Sequence, residues 1–229
     1  MKEKVLVIIP AYNEEANIQA VVDELEQKYP NLDYIVVNDG STDRTARICR
    51  DKGYELLDLP VNLGLAGCFQ AGMKYAYQRG YCRAVQFDGD GQHRPEYIEG
   101  MRQKMDEGYD IVIGSRFVGG KKDFSPRMVG SRLIAGAIFL TTGVRVKDPT
   151  SGMRMFNRKM IREFALNLNY GPEPDTVSYL LKQGAKVAEV PVKIAQRAGG
   201  ESYLKPVVAA RYMARMLISI LLIQNFRKR

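Results

Sequence analysis

Short apolar runs alternate with amphipathic stretches along most of this chain, and the two patterns predict strands and helices in turn. We predict strands at 5–9, 34–37, 55–59, 84–88, 111–114 and 187–194. Helical spacing of apolar residues predicts helices at 16–28, 44–52, 65–78, 128–141, 175–183 and 205–226. Strands that alternate with helices favour an α/β fold, in which a mostly parallel sheet carries helices on both faces.

Polar residues follow the first four predicted strands directly. They are Asn13 and Glu14, then Asp39, then Asn62, then Asp88 and Asp90. Ligands of α/β sheets bind at the carboxyl ends of the strands. The sequence therefore predicts a site at this edge of the sheet.

The segment 88–92 carries the sharpest chemical signal, because Asp88 and Asp90 alternate with glycines and Gln92 follows them. Two carboxylates and an amide oxygen are hard ligands that suit Mg²⁺ or Mn²⁺. An isolated Asp-x-Asp is more often a solvated acidic turn, but a position after a buried strand favours a metal site. His93 is either an outer-shell group of that metal or a structural loop residue.

Composition removes several other classes of protein. The chain has 229 residues, 45% of them hydrophobic and 26% charged, which suits a globular domain with its own core. Cys49, Cys68 and Cys82 form neither a disulfide framework nor a zinc motif, so we expect a reducing compartment. P-loop, dinucleotide-binding and nucleophile-elbow motifs are missing from the sequence, as are a signal-peptide layout and a long apolar run.

Positive charge is concentrated near the C-terminus. The formal net charge is +8, and residues 197–229 contain seven basic residues against one acid, Glu201. Without a zinc-finger or RNA-binding signature, a nucleic-acid partner is not favoured, whereas an anionic membrane or a phosphorylated substrate fits.

The last 26 residues, 204–229, are predicted to form a basic amphipathic helix. Its polar residues Arg211, Arg215 and Ser219 recur every four positions, which predicts a narrow polar stripe. We interpret this helix as one that lies in the headgroup layer of a membrane, so that deletion after about Lys205 would release the chain from anionic vesicles. The alternative is a helix that packs on the domain or on a second subunit.

Seven motifs follow one another in an order that resembles family 2 glycosyltransferases of the GT-A fold, a Rossmann-like α/β fold. Within that family the chain is similar to dolichyl- and polyprenyl-phosphate sugar synthases. The motifs are Pro10-Ala-Tyr-Asn-Glu14, Asp39-Gly-Ser-Thr-Asp43, Asn62-Leu-Gly64, Asp88-Gly-Asp90, Gly114-Ser-Arg116, Asp148-Pro-Thr-Ser-Gly152 and Arg197-Ala-Gly-Gly-Glu-Ser202. The resemblance implies a catalytic domain over 1–203.

The resemblance also implies roles for individual residues at the donor. Pro10, Tyr12 and Glu14 would line the nucleotide pocket, with Glu14 near the ribose. Asp39 would meet the base, whether uracil, guanine or thymine, and Asn62 would either join the pocket or only hold its own turn. Asp88 would meet the ribose or the metal, and Asp90 and Gln92 would hold the metal. Asp43 fits a helix cap better than a ligand.

The remaining implied residues serve the diphosphate and the acceptor. Arg116 and Arg132 would lie near both, and a loop carrying Arg197 and Ser202 would close over the phosphates. A phosphate acceptor needs no strong general base, whereas a hydroxyl acceptor needs one, for which Asp148 and Glu173 are candidates. A helix-capping or salt-bridge role is the alternative for either acid.

Together these patterns predict an inverting, metal-dependent glycosyltransferase. It would move a sugar from a nucleotide-diphosphate sugar to a polyprenyl phosphate or a lipid-linked glycan, at the cytoplasmic inner face of a membrane. Association with a membrane protein or with a second copy of this chain is a further expectation. The alternatives are a nucleotidyltransferase that makes nucleotide sugars and a non-catalytic membrane-binding module.

Overall fold

The structure, a computed structural model, describes residues 2–118, 126–168, 170–193 and 206–224. The strands are β1 (Lys2–Ala11), β2 (Asp33–Asp39), β3 (Leu56–Leu59), β4 (Tyr81–Gln86), β5 (Ile111–Ser115), β6 (Arg154–Asn157) and β7 (Val187–Pro191). The helices are α1 (Ile18–Lys28), α2 (Thr45–Lys52), α3 (Gly64–Gln78), α4 (Tyr97–Asp106), α5 (Pro126–Thr142), α6 (Arg158–Leu166), α7 (Pro174–Lys182) and α8 (Pro206–Ile218), which continues as a π-helical turn, Ser219–Ile223.

Within the described residues the strands form one seven-stranded sheet in the order β3-β2-β1-β4-β6-β5-β7. Only β6 runs antiparallel to its neighbours there, with Arg154 opposite Gln86 of β4 and Ile113 of β5. The predicted α/β class is therefore confirmed. The elements α4, β6 and α6 lie where no helix or strand was predicted, and β4 ends before its predicted boundary, so that Asp88 lies in the following turn.

The sheet separates two hydrophobic cores, as the alternation of side chains along its strands requires. Leu6 and Ile8 of β1 face the core that α3, α5, α6, α7 and α8 cover. Val7 and Ile9 face the core that α1, α2 and α4 cover. Helices thus protect both faces, and the edge where the parallel strands end is left for the site.

The C-terminal helix packs on the domain. Met216 and Ile220 are buried in the same core as α5 and α7, and the Ser219 hydroxyl donates to Asp175 Oδ2 at 2.6 Å. Ser219 therefore does not belong to a solvated stripe, although Arg211 and Arg215 are exposed. Deletion after Lys205 would open this core, because two of its side chains would be lost. None of the described helices is long and apolar enough to cross a bilayer.

Candidate active site

The loops after β1 and β2 are joined to each other at the carboxyl edge of the sheet. Asn13, which has a left-handed backbone (φ 55°), accepts a hydrogen bond from the Thr42 amide at 2.9 Å. The Asn13 and Glu14 amides donate to the hydroxyls of Ser41 and Thr45 at 3.0 and 2.9 Å. These bonds fix the loop that carries the predicted nucleotide residues Tyr12 and Glu14.

Asp43 fastens the same two loops. Its carboxylate accepts from the Thr45 amide at 2.9 Å and from the Glu15 amide at 3.1 Å. Burial raises the pKa of Asp43, but these hydrogen bonds outweigh burial and hold the pKa below its ordinary value. Asp43 thus binds the first amide of α2 from the position before the N-cap residue, Arg44, rather than as the N-cap itself.

The remaining donor-side residues lie along the same edge. Pro10 is paired with Val37 at the end of β1, and a Cβ atom at Gly89 would lie only 3.1 Å from the Pro10 carbonyl oxygen. Asp39 is buried and accepts from the Leu63 amide at 2.7 Å. Asn62 is exposed and accepts from the Gly64 amide at 3.0 Å, so the turn role predicted for it is present.

The turn after β4 presents the two predicted metal-binding carboxylates. The Asp88 amide donates to His93 Nδ1 at 2.9 Å, which leaves the proton of a neutral imidazole on Nε2, 3.5 Å from Asp88 Oδ2. Asp90 Oδ1 accepts from the Gln92 amide at 3.0 Å. His93 is buried and its ring meets Phe87 edge-on, so it braces the turn from behind.

Arg116 and Asp148 form a bidentate ion pair at this edge. Asp148, which is fully buried, accepts from Arg116 Nε at 2.7 Å and from Arg116 Nη2 at 2.6 Å, and also from the Arg116 amide at 3.0 Å. The hydroxyl of Thr150 accepts from Arg116 Nη2 at 2.9 Å. Glu189 of β7 accepts from the amides of Lys147 and Asp148, both at 2.8 Å. Asp148 is thus committed to Arg116.

The segment 148–152 connects Arg116 with the metal-site turn. Ser151 Oγ donates to the Gly114 carbonyl at 2.5 Å, and a Cβ at Gly152 would meet Asp88 Oδ2 at 2.8 Å. A larger residue at position 152 would therefore displace the Asp88 carboxylate. Within this segment the sequence pointed only to Asp148, so the contacts of Thr150, Gly152 and the supporting Glu189 were not predicted.

Arg154 and Tyr212 are further polar residues that sequence reasoning missed. Burial lowers the pKa of the Arg154 guanidinium, whereas the charges of Glu173, Asp148 and Asp88 raise it. Tyr212 of α8 donates to Glu173, the residue before α7. Burial and the charge of Glu173 raise the pKa of the Tyr212 phenol, which therefore remains a donor. Glu173 is thereby tied to the C-terminal helix.

Arg132 lies on α5, directly after a residue that contacts Thr150. It is exposed, and the hydroxyl of the preceding residue, Ser131, lies 3.1 Å from Thr150 Oγ1. Arg197 and Ser202 fall outside the described residues. Strand ends and hydrogen bonds thus place Glu14, Asp39, Asp90 and Arg116 at one edge of the sheet, while the roles of all the predicted residues in binding and catalysis stay predictions.

The donor set at this edge suits a metal that the protein holds only in part. Among the described residues, no three His, Cys, Asp or Glu side chains gather closely enough to bind a metal by themselves. Asp88 and Asp90 nevertheless offer hard carboxylate oxygens, and the Asp88 side chain is 39% exposed. Mg²⁺ characteristically uses one or two carboxylates together with water and substrate phosphates. The residues present fit that pattern.

Comparison with known proteins agrees with this geometry. The chain is 30% identical over 213 residues to a polyprenol monophosphomannose synthase of Mycolicibacterium smegmatis, covering 87% of this chain and 80% of the relative. It is 31% identical over 211 residues to an undecaprenyl-phosphate mannosyltransferase of Micrococcus luteus, covering 87% and 86%.

Solved structures agree on the fold. Glucosyl-3-phosphoglycerate synthase from Mycobacterium tuberculosis, crystallised with Mn²⁺, UDP and phosphoglyceric acid, superposes with a TM-score of 0.72 at 20% identity, over 99% of this chain and 80% of that one. The predicted GT-A fold is confirmed. The model of the family described as Glycosyl transferase family 2 matches residues 6–165. The chain belongs to glycosyltransferase family 2.

Proposed function

We propose that this glycosyltransferase moves a sugar, with inversion, from a nucleotide-diphosphate sugar to a polyprenyl phosphate at a membrane surface. One observation carries the proposal: the carboxylates of Asp88 and Asp90 share one sheet edge with the fixed guanidinium of Arg116. The names of the two relatives support the acceptor class. They do not support the nucleotidyltransferase or the non-catalytic alternative.

Different residues would bind the nucleoside and the diphosphate of the donor. Tyr12, Glu14 and Asp39 would hold the nucleoside, and Asp88, Asp90 and Gln92 would hold Mg²⁺ or Mn²⁺. When bound, such a metal neutralises charge that gathers on the leaving diphosphate. Arg116 supplies a preorganised cation for the same charge, because Asp148 holds its guanidinium in place before substrate arrives.

The Asp148 carboxylate is already bonded to Arg116, and this favours an acceptor that is an anion and needs no base. Both of its oxygens accept from Arg116 and its side chain is fully buried, so it acts as a positioning residue rather than a base. Glu173 accepts from Tyr212. A polyprenyl phosphate oxygen attacks the anomeric carbon without giving up a proton, so neither acid needs to be a base.

A membrane surface is proposed as the place of reaction. α5 and α8 pack together and leave Leu133, Leu140, Leu222 and Ile223 exposed. Arg132, Arg211 and Arg215 are exposed on the same two helices. Apolar and basic side chains on neighbouring helices suit the headgroup layer of an anionic bilayer. Placement at the cytoplasmic inner face, self-association and a membrane protein partner stay predictions.

The donor site is tested by calorimetric titration with UDP, GDP and dTDP, each with and without Mn²⁺. We expect one nucleotide to bind in a metal-dependent manner, and Asp90→Ala to weaken its binding by about tenfold or more, because one hard ligand is lost. Asp51→Ala, an exposed change on α2, is the matched control. Metal-independent binding, or an Asp90→Ala protein that binds normally, would contradict the site.

The reaction is then tested with the nucleotide sugar of the base that binds and with undecaprenyl phosphate. Transfer of labelled sugar into the lipid phase, with inversion at the anomeric carbon, is the expected result. A folded protein that binds the nucleotide but transfers only to a soluble acceptor would overturn the lipid acceptor and leave the donor site intact.

A further inference from the structure

Arg154 is a buried cation, and the proposed binding of donor and acceptor assigns it no role. It is the first residue of β6 and lies opposite Gln86 at the end of β4 and Ile113 near the end of β5. Two residues beyond Gln86 is Asp88, and three beyond Ile113 is Arg116. Arg154 therefore stands in the sheet between the strand that leads to the metal-site turn and the strand that leads to Arg116.

The guanidinium of Arg154 donates hydrogen bonds to backbone carbonyl groups of the segment 148–152. Nε donates to the Ser151 carbonyl at 2.8 Å, and Nη2 donates to the Pro149 carbonyl at 2.5 Å. The residue is 2% exposed, and within the described part of the chain Nη1 has no hydrogen-bond partner. A buried guanidinium with one unpartnered nitrogen is costly even near the charges of Glu173, Asp148 and Asp88, so its presence calls for a function.

The segment that Arg154 holds carries contacts to both halves of the site. Asp148 and Thr150 hold the side chain of Arg116, and Gly152 lies against Asp88. We propose that Arg154 is a positioning residue, whose two-carbonyl grip on 148–152 sets Arg116 at a fixed distance from the metal-site turn. The side chain acts through this segment and does not touch the reacting atoms.

The structure offers a matched control in Arg158, at the start of α6. Arg158 is half-buried and its Nη1 donates to the carbonyls of Tyr81 at 3.0 Å and Tyr77 at 3.4 Å. Tyr81 begins β4, at the end of the strand opposite the site. Arg158→Met therefore removes a guanidinium that bridges two carbonyls without disturbing the catalytic edge.

The test compares Arg154→Met with Arg158→Met in three measurements. We expect Arg154→Met to lower kcat by about tenfold to a hundredfold, since small displacements of positioned groups have effects of that size. Its affinity for the nucleoside without the diphosphate should stay within about twofold, because Arg116 and the metal-site turn would contact only the diphosphate end of the donor. A parallel loss of nucleoside affinity, or an equal loss of kcat in Arg158→Met, would overturn the proposal by showing a general loss of structure.

The third measurement does not depend on turnover, whereas kcat rests on the proposed transfer reaction. In ¹⁵N-labelled protein, the Nε–H of Arg116 is identified by its loss in Arg116→Lys. We expect its hydrogen exchange to accelerate by about tenfold or more in Arg154→Met and to stay unchanged in Arg158→Met. Unchanged exchange in Arg154→Met would overturn the inference even in an active enzyme, whereas a wild type without transfer would overturn the proposed function alone.

Arg154→Lys provides a variant that keeps the cation if Arg154→Met does not fold. A single ammonium group does not reproduce the planar fork that reaches both carbonyls. We therefore expect Arg154→Lys to show the same loss of kcat and the same faster exchange at Arg116. Full activity with protected Arg116 in this variant would overturn the role of the two-carbonyl grip.

Discussion

Arg116 and Asp148 share an ion pair, but water reaches the two residues very differently. The Arg116 side chain is 34% exposed, whereas that of Asp148 is fully buried. An arginine that loses its partner can turn toward solvent, but a buried carboxylate that loses its partner remains desolvated. The cost of removing each partner should therefore be unequal.

This asymmetry gives a stability prediction. We expect Arg116→Met to lower the free energy of unfolding by about 3–5 kcal/mol, because it strands the buried charge of Asp148. Asp148→Asn should cost only about 1–2 kcal/mol, because the unpaired group is then a partly exposed guanidinium. Urea unfolding measures both values, with Arg132→Met as an exposed arginine control on α5. Equal costs for the two variants would contradict the assigned burial.

Asp43 gives a prediction about pH. Its pKa in the folded chain lies below the value of about 4 expected in the unfolded chain, so its contribution is full above pH 4 and is lost as pH falls through the folded pKa. We expect Asp43→Ala to cost about 1–2 kcal/mol near neutral pH and less in acid. Urea unfolding at both pH values, with Asp51→Ala as control, measures this. If the loss of unfolding free energy in Asp43→Ala did not change with pH, this would contradict the hydrogen bonds assigned to the Asp43 carboxylate.

At the scale of whole elements, the sequence identified those whose apolar pattern is strong. β1 and β2 are continuous apolar runs that become buried strands, and they were predicted. β6 was not, because it has only four residues and begins with a buried arginine, which no apolar pattern reveals. The contacts of Arg154 come from the tertiary fold, so local sequence carries no signal for its burial.

α4 and α6 show another limit of pattern reading. α4 buries Ile98, Met101 and Met105, and α6 buries Met160, Ile161 and Phe164, both at helical spacing. Helical spacing of apolar residues is thus present in the ten residues of α4 and the nine residues of α6, although neither helix was predicted. Length alone does not explain this, because α2 and α7 have eight and nine residues and were predicted. Helices this short give few repeats of the period, so each assignment rests on little evidence.

The membrane prediction belongs to α8, and the structure suggests a cleaner test than deletion. Leu222 in the π-helical turn is 59% exposed, and Leu166 at the end of α6 is 56% exposed. We expect Leu222→Glu to reduce co-sedimentation with anionic phosphatidylglycerol vesicles by about tenfold or more, because the helix loses an apolar contact with the acyl region. Leu166→Glu adds the same charge elsewhere and should change binding little. Equal effects of both variants would count against a membrane face on α8.

At the scale of the whole molecule, the sequence predicted the candidate site as a set of strand ends, and it did not predict the contacts between the side chains. The predicted strand ends place Glu14, Asp39, Asp88 and Asp90 at one edge, because parallel strands end together. A salt bridge was one alternative for Asp148, and the structure shows it; that its partner is Arg116 could not be predicted, since this depends on where β6 and β7 place residues 147–152. The sequence therefore indicates the edge of the sheet, whereas the contacts made there depend on the fold.

The reversed direction of β6 has a consequence for how such an enzyme can diversify. The chain leaves the sheet after Ser115 and re-enters it at Arg154 on the same edge, between β4 and β5. Strand pairing fixes both ends of this connection, beside Asp88 and Arg116. A change in its length therefore need not shift the register of any strand, provided that α5 keeps its place in the core and 148–152 keeps its contacts. Variation there would alter the surroundings of Arg116 and leave the strands that carry Glu14 and Asp39 unchanged.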